Sequence, residues 1–346
     1  MKTAAQTIAV ISALTTVLPM LRVRWWWVRI FDFPRLQIAG LAGIGLAAAV
    51  AGRATPMVKG ALASCLAYQA AAMLPYTRLW PRQVQDARMN DSRRQIRLLL
   101  ANVLMTNRNA ARFREMAVAA QPDIIFAVET DRWWLEQLQD LRKTYPYTVF
   151  CPLENTYGML LFSRLELIDP QVQYVVEPDI PSIHTRCRLR SGDEIDLRLL
   201  HPRPPFPTES SASAPRDAEL LLVGDEVKKS KLPRIVAGDL NDVAWSRTTK
   251  VFQKVSGLLD PRIGRGFFNT FHAMYPVLRF SLDHLFHSNE FRVRDIRRMP
   301  KFGSDHFPVL ITLSYEPQAA AEQPEPEPAP EDHAEKHEAV RDAKES

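Results

Sequence analysis

Cysteine is scarce in this sequence, with three residues in a chain of 346. Cys65 lies in an apolar run, and Cys151 and Cys187 do not show the close spacing of thiolate metal ligands. The sequence therefore gives no sign of a disulfide framework or of a cysteine metal site. It also lacks any repeat of solenoid period, which argues against a repeat protein.

The net charge is +5, but it is unevenly distributed. Residues 316–346 contain ten Asp or Glu against three Lys or Arg, so the rest of the chain carries +12. This basic balance suits phosphate-bearing partners or an anionic bilayer. It suits equally well a membrane protein whose cytoplasmic segments are rich in Lys and Arg.

Apolar stretches dominate the beginning of the chain, at residues 8–21, 36–52 and 60–75. Each is slightly short of the ~20 residues that cross a bilayer, but flanking residues extend the first. The second is rich in Gly and Ala, as is typical where transmembrane helices approach closely. A basic and aromatic stretch, from Arg22 through Trp25, Trp26 and Trp27 to Arg29, is typical of the membrane–water interface.

We therefore predict that residues 1–80 are a membrane anchor of about three transmembrane helices, followed by a linker at 81–94. A cleaved signal peptide would explain only the first stretch, and no convincing cleavage site follows it. Buried helices of a soluble core would leave the tryptophan triplet unexplained.

The distribution of Lys and Arg predicts the orientation in the membrane. With three spans, the first loop and the C-terminal domain share one side, and that side carries most of the arginines near the spans. The other side has only Lys2, Arg53 and Lys59. The positive-inside rule then predicts a multi-pass protein of the cell inner membrane with a cytoplasmic catalytic domain, an orientation that an even number of spans would reverse.

Residues 316–346 are rich in Pro, Glu and Ala and show no apolar periodicity. Such a segment buries too little surface to offset the entropy lost on ordering. We predict a disordered acidic tail.

Between residues 95 and 315, short apolar runs of strand length alternate with segments of helical spacing. Mixed strand spacing with interspersed helices predicts an α/β sandwich, two sheets covered by helices, rather than a regular doubly wound sheet. The predicted helices are 109–120, 131–145 and 216–229, and the predicted strands are 96–103, 124–128, 147–151, 158–162, 184–189, 195–200, 234–237, 282–286, 291–296 and 308–313.

Polar residues stand where the predicted strands end, which is where a sheet edge holds side chains rigidly. They are Asn102, Glu129, His201, Asp239 and Asn241 (in GDLND), Asp283, and Asp305 with His306 (in GSDH). Hydrolysis of a phosphate ester needs a divalent cation, a group that orients or deprotonates water, and donors for the transition-state charge. Mg²⁺ prefers oxygen ligands and retains several waters, so one or two carboxylates suffice.

Each residue also has an ordinary structural interpretation. GDLND is an equally good Asx-stabilised turn, Asn102 a strand-ending residue and His201 a loop residue. Glu129 could support the first turn of the next helix. Asp283 stands out, because an unpaired buried carboxylate is costly; His306 is its candidate partner, as an imidazole oriented by a carboxylate.

Taken in order, N…E…H…GDxND…LDH…GSDH resembles the motif set of the endonuclease/exonuclease/phosphatase superfamily, over residues 95–315. The chain is most similar to its bacterial membrane-anchored members. The resemblance implies a four-layer α/β sandwich of two packed mixed sheets, with the site at one rim. It also implies a hydrolase that uses Mg²⁺, with Mn²⁺ as a possible substitute.

Carried over to this sequence, the resemblance implies a metal site at Glu129, assisted by Asn102 and Asp305. Asp239 would orient or activate the attacking water, and Asn241 would contact the phosphate.

The resemblance also implies roles for the histidines. His201 would donate to the phosphoryl oxygens, and His306, oriented by Asp283, would stabilise the developing charge or transfer a proton. Arg203 is a candidate for a further phosphate contact, although a solvated loop arginine is an equally good interpretation.

Three functions remain open at this level. The basic domain favours a phosphodiesterase that acts on nucleic acid, and the anchor favours a phosphoesterase for a lipid or another small phosphorylated molecule. An inactive phosphate-binding scaffold would not need Asp239 or the Asp283–His306 pair.

Overall fold

The computed structural model describes residues 1–21, 23–206, 209–210 and 212–345, so Arg22 of the basic stretch and Ser346 of the tail lie outside the described residues. The chain divides into two compact units. The first comprises Met1–Pro81, Pro205–Ser213 and Ile263–Gly266, and the second comprises Arg82–Pro204, Ala214–Arg262 and Phe267–Ser346.

The first unit is helical. Its helices are α1 (Lys2–Val17), α2 (Trp26–Arg29), α3 (Arg35–Ala51) and α4 (Pro56–Met73). Two helical stretches, Lys2–Met20 and Pro56–Tyr76, are long and apolar enough to cross a membrane. A third is added if Trp26–Asp32 and Arg35–Ala51, which are bent by 71°, form one span.

Small and polar residues mark where these helices meet. Gly45 of α3 lies so close to Ile8 and Leu62 that a Cβ atom at this position would clash with both side chains. The buried guanidinium of Arg35 donates to Asp32 at 2.7 Å and to Gln69 at 3.1 Å. These polar groups are paired within the helical unit, which offsets the cost of burying them.

The second unit contains two sheets. Its strands are β1 (Gln95–Asn102), β2 (Ile124–Val128), β3 (Tyr147–Cys151), β4 (Met159–Ser163), β5 (Glu166–Gln173), β6 (Ser182–Arg188), β7 (Glu194–Leu200), β8 (Arg234–Asp239), β9 (Asp283–His287), β10 (Phe291–Arg298) and β11 (Val309–Tyr315). One sheet has the order β10-β11-β1-β2-β4-β3 and the other β5-β6-β7-β8-β9. β1 runs parallel to β2 and β7 runs parallel to β8, while the remaining neighbours are antiparallel.

The helices of this unit cover the outer faces of the sheets. They are α5 (Ala110–Ala120), α6 (Arg132–Leu138), α7 (Ala214–Lys229), α8 (Arg247–Ser256) and α9 (Pro330–Glu345). One apolar core joins the inner faces of both sheets, a second lies under α5 and α6, and a third lies under α7 and α8. The predicted sandwich of two packed mixed sheets is therefore confirmed.

Two elements between residues 95 and 315 were not predicted. β5 is an edge strand that contains Pro170 and is mostly half-buried or exposed, so its apolar pattern is weak. α8 lacks a long apolar run, but Ser246 caps it by accepting from the Thr249 N–H at 3.0 Å. The predicted helix at 131–145 is shorter, because α6 gives way to a 3₁₀ helix at Gln139–Lys143.

The prediction of a disordered tail is wrong. Residues 317–321 form a 3₁₀ helix and α9 packs beside α7 and α8, with Ala339 buried in the apolar core there. The acidic side chains pair with basic residues of the domain: Glu316 with Arg292 at 3.1 Å, Glu325 with Arg234 at 2.6 Å, and Asp332 with Lys254 at 3.0 Å. The composition correctly showed that the segment has little apolar surface, but these partners lie elsewhere in the chain.

Candidate active site

Strand direction brings the predicted residues to one edge of the sandwich. β1 ends at Asn102 and Glu129 follows β2, which runs parallel to β1. Likewise β8 ends at Asp239 and His201 follows β7. β9 is antiparallel to β8 and β11 is antiparallel to β1, so both strands begin at this same edge. Asp283 of β9 therefore lies opposite Asp239, and His306 precedes β11.

Asn102 joins two carboxylates at the centre of this edge. Its Nδ2 donates to Glu129 Oε1 at 2.6 Å and to Asp239 Oδ2 at 3.0 Å. Its Oδ1 accepts from the Leu104 N–H at 3.0 Å, which fixes the amide. Asn102 thus holds the two acids in place with its nitrogen, whereas the predicted metal role would use its oxygen.

The surroundings of Glu129 oppose the ionisation of its carboxyl group. Burial and the nearby charges of Asp305 and Asp239 raise its pKa to about 7, although Asn102 and His306 act in the opposite direction. Its backbone also lies in the left-handed region, with φ of 59°. A hard divalent cation would relieve this repulsion, and the carboxylate oxygens of Glu129 and Asp305 are donors that suit Mg²⁺.

Asp239 is the most connected residue of the site. It is 1% exposed, and its Oδ1 accepts from the Asn241 N–H at 3.0 Å. Its Oδ2 lies 3.6 Å from His306 Nε2 and 3.9 Å from His201 Nε2. Burial disfavours the carboxylate, but the two histidines and the hydrogen bonds from Asn102 and Asn241 hold the pKa of Asp239 below its usual range.

His306 and Asp283 form the pair expected from the sequence. His306 Nδ1 lies 2.8 Å from Asp283 Oδ2, and both residues are buried. Burial disfavours the charged imidazole, but Asp283 and Asp239 outweigh it and raise the pKa of His306 to about 10. The imidazole is therefore positively charged at neutral pH, with Nε2 directed towards Asp239.

Donor atoms of Asp239, Asp283 and His306 lie within 4.8 Å of one another, which is also a spacing that suits a metal ion. A protonated imidazole cannot act as a metal ligand, however. The charged His306 therefore suits charge stabilisation, and Glu129 and Asp305 remain the metal ligands predicted from the sequence.

Asn241 and His201 also neighbour Asp239. Asn241 has a left-handed backbone, with φ of 50°, and its Nδ2 donates to the Pro202 carbonyl at 2.9 Å. This bond ties the loop after β8 to the segment that carries His201. The His201 ring stands 5.5 Å from the Tyr157 ring and is 2% exposed.

Three supporting residues were not predicted individually. Ser304 Oγ donates to the Asn102 carbonyl at 2.8 Å and accepts from the His306 N–H at 3.0 Å. Thr270 Oγ1 accepts from the Asp283 N–H at 3.2 Å, and Arg216 donates to the Asn241 carbonyl at 2.7 Å. Ser304 falls within the GSDH motif, but nothing in the local sequence marks Thr270 or Arg216.

The structure does not support a phosphate-binding role for Arg203. Its guanidinium lies 3.0 Å from Glu177 and 2.9 Å from Asp179. Its charge is thus already balanced by two carboxylates.

The sequence profile of the Endonuclease/Exonuclease/phosphatase family matches residues 99–306, a range that includes every predicted site residue. Among curated proteins, no significant sequence match was found.

Solved structures share the fold. The human Nocturnin catalytic domain with bound sulfate anion has a TM-score of 0.52 and 19% identity, covering 65% of this chain and 96% of that one. D. rerio TDP2 complexed with single-strand DNA product has a TM-score of 0.53 and 16% identity, covering 64% and 99%. An endonuclease/exonuclease/phosphatase from Beutenbergia cavernae has a TM-score of 0.52 and 16% identity, covering 64% and 72%.

Proposed function

The chain belongs to the Endonuclease/Exonuclease/phosphatase family, and on that premise we propose that this hydrolase of phosphoester bonds is a Mg²⁺-dependent phosphodiesterase that acts on nucleic acid. The observation that carries the proposal is the setting of Asp239. An ionised, buried carboxylate stands between two histidines at the edge where Glu129 and Asp305 supply oxygen donors for a cation.

The proposed mechanism assigns a separate task to each side chain. Asp239 accepts a hydrogen bond from water and directs it at phosphorus, with Asn241 and His201 contacting the phosphoryl oxygens. The charged His306 stabilises negative charge that develops in the transition state. A divalent cation, when bound at Glu129 and Asp305, supplies Lewis-acid polarisation of the phosphate. Water attacks phosphorus in line and the P–O bond to the leaving group breaks, so no covalent enzyme intermediate forms. The proton of the attacking water passes to Asp239, and the charged His306 protonates the departing oxygen.

A basic groove in the same unit supports nucleic acid as the substrate. It has a volume of about 630 Å³, and Arg112, Arg297, Arg298 and Lys301 outnumber Glu115 among its charged residues. Its apolar floor includes Phe302, close in sequence to Asp305. Cationic side chains around an apolar floor suit a strand whose phosphates and bases need different contacts.

A phospholipid is the second candidate, favoured by an exposed apolar hairpin. Ala273 N–H donates to the Asp305 carbonyl at 2.6 Å, which places this hairpin beside the site. At its tip, Met274 is 54% exposed, Tyr275 60% and Val277 74%. Such a tip suits an apolar surface, and the same chain carries candidate membrane spans.

The test is hydrolysis by the purified full chain in detergent. Substrates are single- and double-stranded DNA, RNA, phospholipid vesicles and an inositol phosphate, each with Mg²⁺, Mn²⁺ or EDTA. We expect nucleic acid to be cleaved with Mg²⁺ and both EDTA and Asp239→Asn to abolish cleavage. Hydrolysis of phospholipid alone would establish the second candidate, and a folded chain that cleaves no diester would refute both.

A further inference from the structure

A second charged pocket lies at the opposite end of the six-stranded sheet. It has a volume of about 390 Å³, and its lining includes Arg97, near the start of β1, and Asp123, directly before β2. The catalytic residues follow the other ends of these two strands. At ~3.3 Å per residue, the five-residue separation of Arg97 and Asn102 along β1 corresponds to about 17 Å.

Strand register creates the pocket. Thr312 of β11 pairs with Arg97 on one side and with Asp295 of β10 on the other, so the three residues form a row across the sheet. On the far side of β1, the Asp123 N–H donates to the Arg97 carbonyl at 2.7 Å, and the Arg164 N–H donates to the Asp123 carbonyl at 2.8 Å. The backbone itself therefore brings Arg97 and Arg164 to the same place.

Positive charge predominates in this pocket. Four arginines line it, Arg97, Arg164, Arg190 and Arg294, against the carboxylates of Asp123 and Asp295.

Both carboxylates are already engaged. Asp123 Oδ1 accepts from Arg190, and its Oδ2 accepts from the Arg97 backbone N–H at 2.8 Å. Asp295 lies 3.7 Å from Arg297, outside the pocket lining.

The guanidinium groups of Arg97 and Arg164 are not balanced in this way. Among the described residues, neither side chain forms an ion pair with a carboxylate, and the Nε atom of each is buried without a hydrogen-bond partner. The Arg164 guanidinium lies 4.8 Å from the centroid of the Tyr145 ring. The ring packs against one face of the guanidinium but does not neutralise the charge of Arg164. Partly buried cations without a counter-charge are costly, and a bound anion would remove that cost.

We propose that this pocket, lined by Arg97, Arg164, Arg190 and Arg294, is a second anion site that binds a phosphate group, as inorganic phosphate or as a small phosphomonoester. Guanidinium groups bind phosphate through paired, charge-assisted hydrogen bonds. The site is separate from the catalytic edge and does not rest on the proposed function.

The test is calorimetric titration of the full chain in detergent with EDTA, at ionic strength held constant with NaCl. Inorganic phosphate and adenosine monophosphate are titrated separately, because tighter binding of the latter would identify a phosphomonoester as the ligand. All proteins carry His201→Ala, which weakens the phosphate contact proposed for the catalytic edge. We expect Arg97→Gln and Arg164→Gln each to raise the Kd at least tenfold.

Arg142→Gln removes an exposed arginine outside the pocket and should leave the Kd unchanged. If the partly buried variants fail to fold, Arg294→Gln at the exposed rim should still weaken binding several-fold. The proposal is overturned if His201→Ala alone abolishes phosphate binding, or if folded pocket variants bind phosphate as tightly as the Arg142→Gln control. Since hydrolysis is not measured, failure here leaves the catalytic assignment untouched.

Discussion

At the scale of single residues, the site depends on opposing effects of burial and charge. Asp239 and Glu129 are both buried or nearly so and share the Asn102 amide, yet their pKa values move in opposite directions. His306 and His201 lie near Asp239 and favour its ionised form. The carboxylates of Asp305 and Asp239 lie near Glu129 and oppose its ionisation. The first remains ionised without a metal, and the second is the carboxylate that a cation would stabilise most.

Asp239→Asn should reduce turnover by ~10²-fold or more, because the amide cannot accept a proton from water. The overall fold should persist, since the replacement has the same shape. The measurement is kcat with a nucleic-acid substrate and Mg²⁺, with Asp225→Asn as the control, because Asp225 pairs with Lys229 and Lys336 on α7 and α9. An unchanged kcat would refute the role of Asp239.

Asp283→Asn should change the pH profile of the reaction. Removing this carboxylate takes away a charge that raises the pKa of His306, so the pKa falls from about 10. The alkaline limb of kcat/KM should then move to lower pH by about one unit or more. If the maximum of kcat/KM falls but the alkaline limb stays at the same pH, the Asp283–His306 pair does not set the protonation of His306.

Glu219 provides a test that does not involve the site. It is 2% exposed on α7, and burial together with the charge of Glu177 raises its pKa to about 8. The unfolded chain releases this proton near pH 4.5 while the folded chain retains it, so stability is lost as pH rises from about 4.5 to about 8.

Glu219→Gln should therefore raise the melting temperature by several degrees at pH 8 and change it little at pH 4.5. Thermal unfolding at the two pH values measures this effect. Glu136→Gln, a change on the half-exposed α6, is the matched control. An equal shift at both pH values would contradict the proposed titration.

At the scale of elements, tertiary partners decide what local pattern cannot. α9 contains few apolar residues, but Lys336 reaches Asp225 at 2.8 Å and Asp332 reaches Lys254 at 3.0 Å. Ion pairs at the surface contribute about 0–1 kcal/mol each. These partly buried pairs act together with the burial of Ala339 to hold α9 against α7 and α8. β5 is a similar case, because its neighbour β6 supplies the hydrogen bonds that its own sequence does not suggest.

Removal of residues 330–346 should lower the melting temperature of the full chain by several degrees, because α9 covers apolar side chains of α7 and α8. Differential scanning fluorimetry in detergent measures the change. Lys344→Ala, near the end of α9, is the control that leaves the helix in place. A truncated chain with an unchanged melting temperature would support the disordered tail that the composition suggested.

At the scale of the whole molecule, the sequence predicts a membrane anchor, and two helices, or three with the bent pair, have the required length and hydropathy. The full chain expressed in a bacterial host should remain in the membrane pellet after alkaline carbonate extraction. Extraction into the supernatant would refute the anchor.

The same membranes test the predicted orientation. If the domain is cytoplasmic, protease added outside intact spheroplasts should leave it whole and should digest it only after lysis. Digestion in intact spheroplasts would place the domain on the opposite side and contradict the positive-inside assignment.

The sequence alone determined the class of fold and the order of most elements, since strand-length apolar runs are local features. It also predicted the residues of the candidate site, because the polar groups that end the strands are local features too. The family assignment rested on the same residues and is confirmed. The sequence also located the apolar helices, because the mean hydropathy of a stretch of consecutive residues depends only on its composition.

Only the tertiary structure decided which groups meet. It revealed that Asn102 bridges Glu129 and Asp239, that Arg203 is paired with Glu177 and Asp179, and that Arg97 and Arg164 share a pocket far from the catalytic edge. The tail gained its order in the same way, from basic partners far away in the sequence. These contacts depend on strand register and on distances through space, and the charge of a side chain reveals its partner only after the chain has folded.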